Sequence, residues 1–219
     1  MNAYPRAGER RIMVERQIAA RGIHDKRILE AMLEIPRHLF IPHPYDRSAY
    51  DDNPLPIGDG QTISQPYIVA FMTELLHPGP TDHVLEIGAG SGYQAAVLSR
   101  IVQHVTSIER IAAVAGLARK NLRSLGIENV SVIEGDGTLG YPPNAPYQGI
   151  IVTAATPDVP RPLVDQLAEG GTLVAPVGGR DIQELITIQK KGQSVKQEFH
   201  GGVRFVPLIG QHGWENHNL

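Results

Sequence analysis

The sequence contains no cysteine, which excludes disulfide staples, thiolate nucleophiles and cysteine-ligated metals. Nor does either sign of charge dominate. Twenty Lys and Arg stand against 23 Asp and Glu, a net charge of −3, so the basic footprint of a nucleic-acid binder is missing. No apolar run approaches the ~20 residues of a membrane span, and the first residues lack the apolar core of a signal peptide. Nine histidines occur without any H-E-x-x-H pairing, so nothing in their spacing points to a metal. Internal repeats, low-complexity tracts and linkers are also absent. What remains is an ordinary globular composition, 42% hydrophobic and 20% charged over 219 residues, enough for one α/β domain. These absences lead us to expect a cytoplasmic enzyme that binds neither nucleic acid nor membrane, and a monomer.

The chain is organised around His83-Val84-Leu85-Glu86-Ile87-Gly88-Ala89-Gly90-Ser91-Gly92-Tyr93-Gln94. A short apolar run passes through three glycines into a helical pattern, the way a parallel sheet edge holds a nucleotide-like ligand. The spacing is G-x-G-x-G rather than the G-x-G-x-x-G of dinucleotide sites. Glu86, read as an anion at the mouth of the strand, would repel a phosphate and favour an ammonium group. The next strand, Val105 to Glu109, ends in a carboxylate suited to a ribose diol. A ligand with an amino-acid head and a ribose but no phosphate is S-adenosylmethionine. The stretch resembles motif I of the class I methyltransferases, with Glu86, Gly88, Gly90 and Gly92 around the cofactor and Glu109 on its ribose.

Taken in order, residues 11–21 read as an amphipathic helix stopped by Gly22. A second helix is capped by Asp25 and ended by Pro36. His38 sits in an apolar knot and reads as structural rather than catalytic. Residues 43–62 lack periodicity and read as a long irregular loop that packs over the sheet end, a candidate lid. Ser64 reads as the N-cap of a helix carrying Ile68, Val69, Met72, Leu75 and Leu76, with Pro66 in its first turn. After the glycine motif come a helix over 114–125 and a strand over 129–133. The latter leads to Asp136-Gly137, where the carboxylate could accept from an adenine amino group or simply make an Asp-Gly turn. A buried strand over 149–155, a helix through Ala168 stopped by Gly170-Gly171, and a strand over 173–178 follow. The chain closes with a hairpin over 184–200, a short strand around 203–208 and a polar tail from Gln211 that is loosely held apart from Trp214. This alternation predicts a doubly wound, mostly parallel sheet with an antiparallel edge.

The position after the fourth strand reads Thr153-Ala154-Ala155-Thr156-Pro157, small and neutral, where a base-modifying enzyme would carry an aromatic-proline motif. It leaves room for a peptide backbone. Tyr50-Asp51, Pro54-Leu55-Pro56-Ile57-Gly58, Gly60-Gln61-Thr62-Ile63-Ser64, Gly135-Asp136-Gly137 and Val203-Arg204-Phe205-Val206-Pro207-Leu208 together resemble the protein-L-isoaspartate O-methyltransferase family, over about residues 10 to 210. Gln65 and Tyr67 depart from it, since other members carry Ala and His there. The resemblance implies a single domain over 1–219. Residues 1–80 would form N-terminal helices and a substrate loop, 81–180 a Rossmann-like cofactor core with a seven-stranded sheet, and 181–219 a C-terminal hairpin and tail. It further implies S-adenosylmethionine as cofactor, held by Thr62, Ile63, Glu86, Gly88, Gly90, Gly92, Glu109, Asp136 and Gly137, with Ser64 catalytic. The reaction would methylate the α-carboxylate of L-isoaspartyl residues in damaged proteins and peptides, and the ester would then close to a succinimide. A methyltransferase-like adaptor and a small-molecule O-methyltransferase are the alternatives.

Overall fold

A computed structural model describes residues 4–215. The chain opens with a helical run whose first part is α1 (Ala7–Ile12). The run continues as a π-wound turn over Met13–Ile18 and a 3-10 turn over Ala19–Arg21. It starts four residues earlier than the periodicity suggests and stops where expected, at Gly22 with φ of 99°. The Asp25 carboxylate accepts from the Arg27 amide and caps α2 (Lys26–Glu34), as its sequence position implies.

The segment over 43–62 is not an irregular loop. It holds a two-stranded antiparallel hairpin, β1 (Leu55–Gly58) and β2 (Gln61–Ile63), turned at Asp59 and Gly60, both with positive φ. Ahead of the hairpin, backbone carbonyls take the place of strand pairing. Arg6 donates to the Asp46 carbonyl, Gln17 to that of Tyr50 and Arg37 to that of Ala49, at 2.7–2.9 Å. Long side chains from sequence-distant helices thus satisfy backbone that has no ladder of its own. His38 is structural here, its Nδ1 lying 2.7 Å from the Tyr50 hydroxyl.

Ser64 does not cap α3 (Pro66–Leu76). The N-cap residue is Gln65, whose side chain makes no cap bond, and Pro66 occupies the first helical position. The cap comes from thirteen residues upstream of Gln65, where Asp52 Oδ1 accepts from the Tyr67 amide at 3.2 Å. Replacing Asp52 with alanine is therefore expected to cost about 1 kcal/mol of stability, and Ser64→Ala less than about 0.5 kcal/mol. Urea denaturation of the two variants checks the order.

The remaining elements build a seven-stranded sheet. In chain order they are β3 (His83–Ile87), α4 (Tyr93–Leu98), β4 (His104–Glu109), α5 (Ala112–Ser124), β5 (Val130–Glu134) and β6 (Tyr147–Val152). After them come α6 (Arg161–Asp165), β7 (Leu167–Gly178), β8 (Gln183–Lys191) and β9 (Ser194–Val203). The spatial order is β5-β4-β3-β6-β7-β8-β9, parallel from β5 to β7 and antiparallel beyond. The central strands β3 and β6 are buried on both faces, which explains their unbroken apolar runs.

Four further corrections concern the second half. The helix expected through Ala168 ends at Asp165, because Leu167 pairs with Tyr147 as the start of β7. Gly170-Gly171 then marks a bulge between the Tyr147↔Leu167 and Gly149↔Thr172 pairs rather than a helix stop. No separate strand forms over 203–208. That stretch runs beside Ala155, which donates to the Val206 carbonyl and accepts from the Leu208 amide. Nor is the described part of the tail, residues 211–215, loose. Gln211 donates to Asp136 Oδ2 at 2.8 Å, His212 to Thr138 Oγ1 at 3.1 Å, and Trp214 to the Leu208 carbonyl at 2.8 Å. Among the described residues no helix is long and apolar enough to cross a membrane.

Candidate active site

Strand order reverses at β3, whose neighbours are β4 on one side and β6 on the other. Ligands of open α/β sheets bind at the carboxyl end of such a switch point. The three glycines lie there with φ of 97°, 54° and 86° at Gly88, Gly90 and Gly92. Gly88 is also sterically fixed, since a Cβ would meet Thr153 Oγ1 at 2.6 Å. That Thr153 hydroxyl donates to the Gly88 carbonyl at 2.7 Å and tightens the turn. The backbone therefore approaches the hollow with no side chain in the way.

Below the glycines lies an inner hollow of about 60 Å³, lined by Glu86, Gly88, Gly90 and Glu109 on the sheet side. Thr62, Ile63 and Ser64, from the end of β2 and the turn into α3, form the facing wall. An adjoining hollow of about 170 Å³ shares Gly88 and Glu109 and continues along Ile108, Ile111, Gly137 and Leu208. A third, larger cleft of about 870 Å³ opens on the other side of Ser64. Ser64, Thr62 and Thr153 line both the inner hollow and this cleft, so they form the partition between them.

Glu86, expected as an anion at the mouth of the strand, lies inside the fold. The side chain is fully buried, and burial pushes its carboxyl up to about 8. The Ser107 hydroxyl, directly across β3–β4, donates to Oε2 and opposes the shift. The nearby Glu109 charge adds to it, and the Ala95 amide in the first turn of α4 opposes it more weakly. Oε1 has no hydrogen bond of ordinary geometry. A buried carboxylate oxygen left unpartnered on the wall of a hollow suits a cationic donor such as an ammonium group.

Glu109 is held in place from both sides. Oε2 accepts from the Gly90 amide at 3.1 Å and Oε1 from the Ile111 amide at 3.0 Å. Its remaining lone pairs face the shared wall of the two hollows, where a diol could reach them. Asp136 stands behind Gly137 and lines neither hollow. Its Oδ1 accepts from the Thr138 amide and hydroxyl and its Oδ2 from the Gln211 amide, so the carboxyl lies below its usual range despite partial burial. The Asp-Gly turn is thus formed, and it anchors the tail over the second hollow. Among the described residues no group of three or more His, Asp or Glu could hold a metal.

The model of the protein-L-isoaspartate(D-aspartate) O-methyltransferase family matches residues 9–213. A protein-L-isoaspartate O-methyltransferase of Methanoregula boonei is 65% identical over 97% of this chain and 98% of its own length. One of Methanoculleus marisnigri is 57% identical over 98% of each. The chain belongs to this family. A solved structure of a protein-L-isoaspartate O-methyltransferase superposes with a TM-score of 0.84 at 33% identity, covering 94% of this chain and 67% of that one. A Plasmodium falciparum protein assigned to the same enzyme, solved in complex with S-adenosyl-L-homocysteine, gives a TM-score of 0.78 at 25% identity, covering 91% and 98%. The adaptor and small-molecule alternatives are thereby set aside. The protein is a protein-L-isoaspartate O-methyltransferase, and its family is dependent on S-adenosylmethionine.

The residues that the sequence did not single out belong to the cleft of this methyltransferase and to the support of Glu86. Ser107 could have been found, since β3 and β4 read in register place it opposite Glu86. Arg180 lines the cleft from beyond β7, and no local pattern links it to Ser64; Arg204 and Phe205, from the stretch quoted for the family resemblance, line the cleft as well.

Proposed function

We propose that the two joined hollows take S-adenosylmethionine and that the cleft takes the isoaspartyl segment of a damaged protein. The observation that carries this reading is the position of Ser64, on the wall shared by the inner hollow and the cleft. A methyl donor on one side and an acceptor on the other would meet at its hydroxyl. The residues present fit the cofactor: an unpartnered buried carboxylate oxygen for an ammonium, glycine backbone for close approach, and Glu109 for a diol. Thr62 and Ile63 close the facing wall. Gly137 lines the adenosine end, and Asp136, bound to Thr138 and Gln211, supports that wall from behind rather than lining it.

Bound there, the cofactor supplies an electrophilic methyl group on a sulfonium. The protein needs no general base, because an acceptor carboxylate with an ordinary value near 4 is already ionised at pH 7. Its remaining tasks are in-line positioning and exclusion of water. Ser64 orients the acceptor oxygen with a neutral hydroxyl, which does not quench nucleophilicity as an ion pair would. The small side chain of Thr153, which lines the cleft beside Ser64, leaves space for a peptide backbone there.

Transfer of labelled methyl to an isoaspartyl peptide, compared with its aspartyl twin, tests the reading. Strong preference for the isoaspartyl form is expected, and equal labelling of both overturns it. Replacing Glu109 with alanine is expected to weaken cofactor binding by about 1.5–3 kcal/mol, roughly 10- to 150-fold, the loss of hydrogen bonds to a charged group. Calorimetric titration with S-adenosylhomocysteine reads it, and unchanged affinity would remove Glu109 from the site.

A further inference from the structure

Gln65 and Tyr67, which flank Pro66 at the start of α3, share one partner. Asp52 Oδ2 accepts from Gln65 Nε2 at 3.1 Å and from Arg21 at 2.7 Å, while Oδ1 accepts from the Tyr67 amide at 3.2 Å. The Arg21 guanidinium also lies over the Tyr67 ring, 3.4 Å from its centroid. One carboxylate thus ties the end of the first helical run to residues on both sides of Pro66, immediately after Ser64. The Ser64 hydroxyl makes no hydrogen bond to the described residues, although a serine at the start of a helix ordinarily spends its oxygen on a backbone amide.

We propose that Asp52 is a positioning residue for methyl transfer: clasped to Arg21, Gln65 and the Tyr67 amide, it caps α3 in place of Ser64 and fixes the turn that presents the free Ser64 hydroxyl to the acceptor. It rests on Ser64 orienting the acceptor carboxylate. The capping and the clasping are chemically separable. Asparagine caps a helix as well as aspartate does, through its single carbonyl oxygen. Its amide group, however, donates and cannot accept from Gln65 or Arg21. A purely structural cap would therefore be restored by Asn, whereas the clasp would not.

The experiment compares Asp52→Asn, Ser64→Ala and the double variant in the full-length protein. It measures kcat and KM on an isoaspartyl peptide, affinity for S-adenosylhomocysteine, and urea stability. Asp52→Asn is expected to match wild-type stability and hold cofactor affinity within about twofold, while kcat drops about five- to tenfold. In the Ser64→Ala background the same change is expected to lower kcat by less than about twofold, because the clasp acts through Ser64. If Ser64→Ala is slow and Asp52→Asn keeps wild-type kcat, the clasp is overturned while the reading of Ser64 stands. Losses that simply multiply in the double variant overturn the clasp as well. Full turnover in Ser64→Ala overturns the reading of Ser64 instead, and with it the route by which Asp52 acts. Should Asp52→Asn be poorly folded, Gln65→Met removes one arm of the clasp and is expected to lower kcat by about two- to threefold. An unchanged kcat in that folded variant overturns the clasp.

Discussion

Replacing Ser64 with aspartate is expected to leave a folded protein that binds its cofactor yet transfers methyl groups at least roughly 100-fold more slowly, a transition-state loss near 2.7 kcal/mol. The fold should survive because Ser64 is half-buried, caps nothing and faces open space on two sides. A carboxylate at the start of an 11-residue helix is also favoured by the helix dipole. Catalysis should not survive, because the new charge would stand against the anionic acceptor in a site from which water is excluded. Ser64→Ala separates charge from contact. It removes one hydrogen bond, about 0.5–1.5 kcal/mol, and should slow turnover by roughly 2- to 13-fold. Aspartate much worse than alanine marks repulsion of the acceptor. Near-normal turnover in Ser64→Asp would take the hydroxyl out of the reaction altogether.

A second large effect is expected at Glu86. Burial pushes this carboxyl up to about 8 from an ordinary value of 4.5. Between those values the folded state keeps a proton that the unfolded chain has released, so stability falls as pH rises through that window. The slope is about 1.4 kcal/mol per pH unit, on the order of 4–5 kcal/mol across the whole range. Glu86→Gln keeps the shape and removes the proton equilibrium. Its stability relative to wild type should therefore climb from near parity at about pH 4.5 toward that full difference at about pH 8. Urea denaturation of the ligand-free proteins at four pH values reads it, and a pH-independent difference would show that Glu86 is ionised in the fold. An ammonium group at Oε1 would favour the ionised form, so wild-type cofactor binding at pH 7 should release a proton and Glu86→Gln binding should not.

The parallel half of the sheet was legible because its strands are short apolar runs, most of them closed by glycine or a carboxylate, and those signals are local. The glycine loop, Glu86 and Glu109 were found for the same reason. The errors share a different cause. Ser64 looks like a cap when only its neighbours are read, and the group that displaces it, Asp52, arrives through tertiary structure. The stretch over 43–62 has no period because its carbonyls are met by Arg6, Gln17 and Arg37 rather than by a strand. Gly170-Gly171 carries the same composition whether it stops a helix or bulges a strand, and only pairing with Tyr147 decides. The burial of Glu86 was not legible, because carboxylates are usually wet and this one is covered only once the fold is formed, with Ser107 beside it.

The tether at Asp136 has a bearing on how this protein ages. Asp–Gly steps are where isoaspartyl damage begins, when the glycine nitrogen attacks the preceding side-chain carboxyl, a reaction favoured by a protonated acid and a freely turning residue. Here three donors hold the Asp136 carboxylate still and below its usual range, and keep it ionised beside Gly137. The bonds that hold this turn and fasten the tail to it therefore guard the Asp136–Gly137 step against the lesion this repair methyltransferase acts on in other proteins.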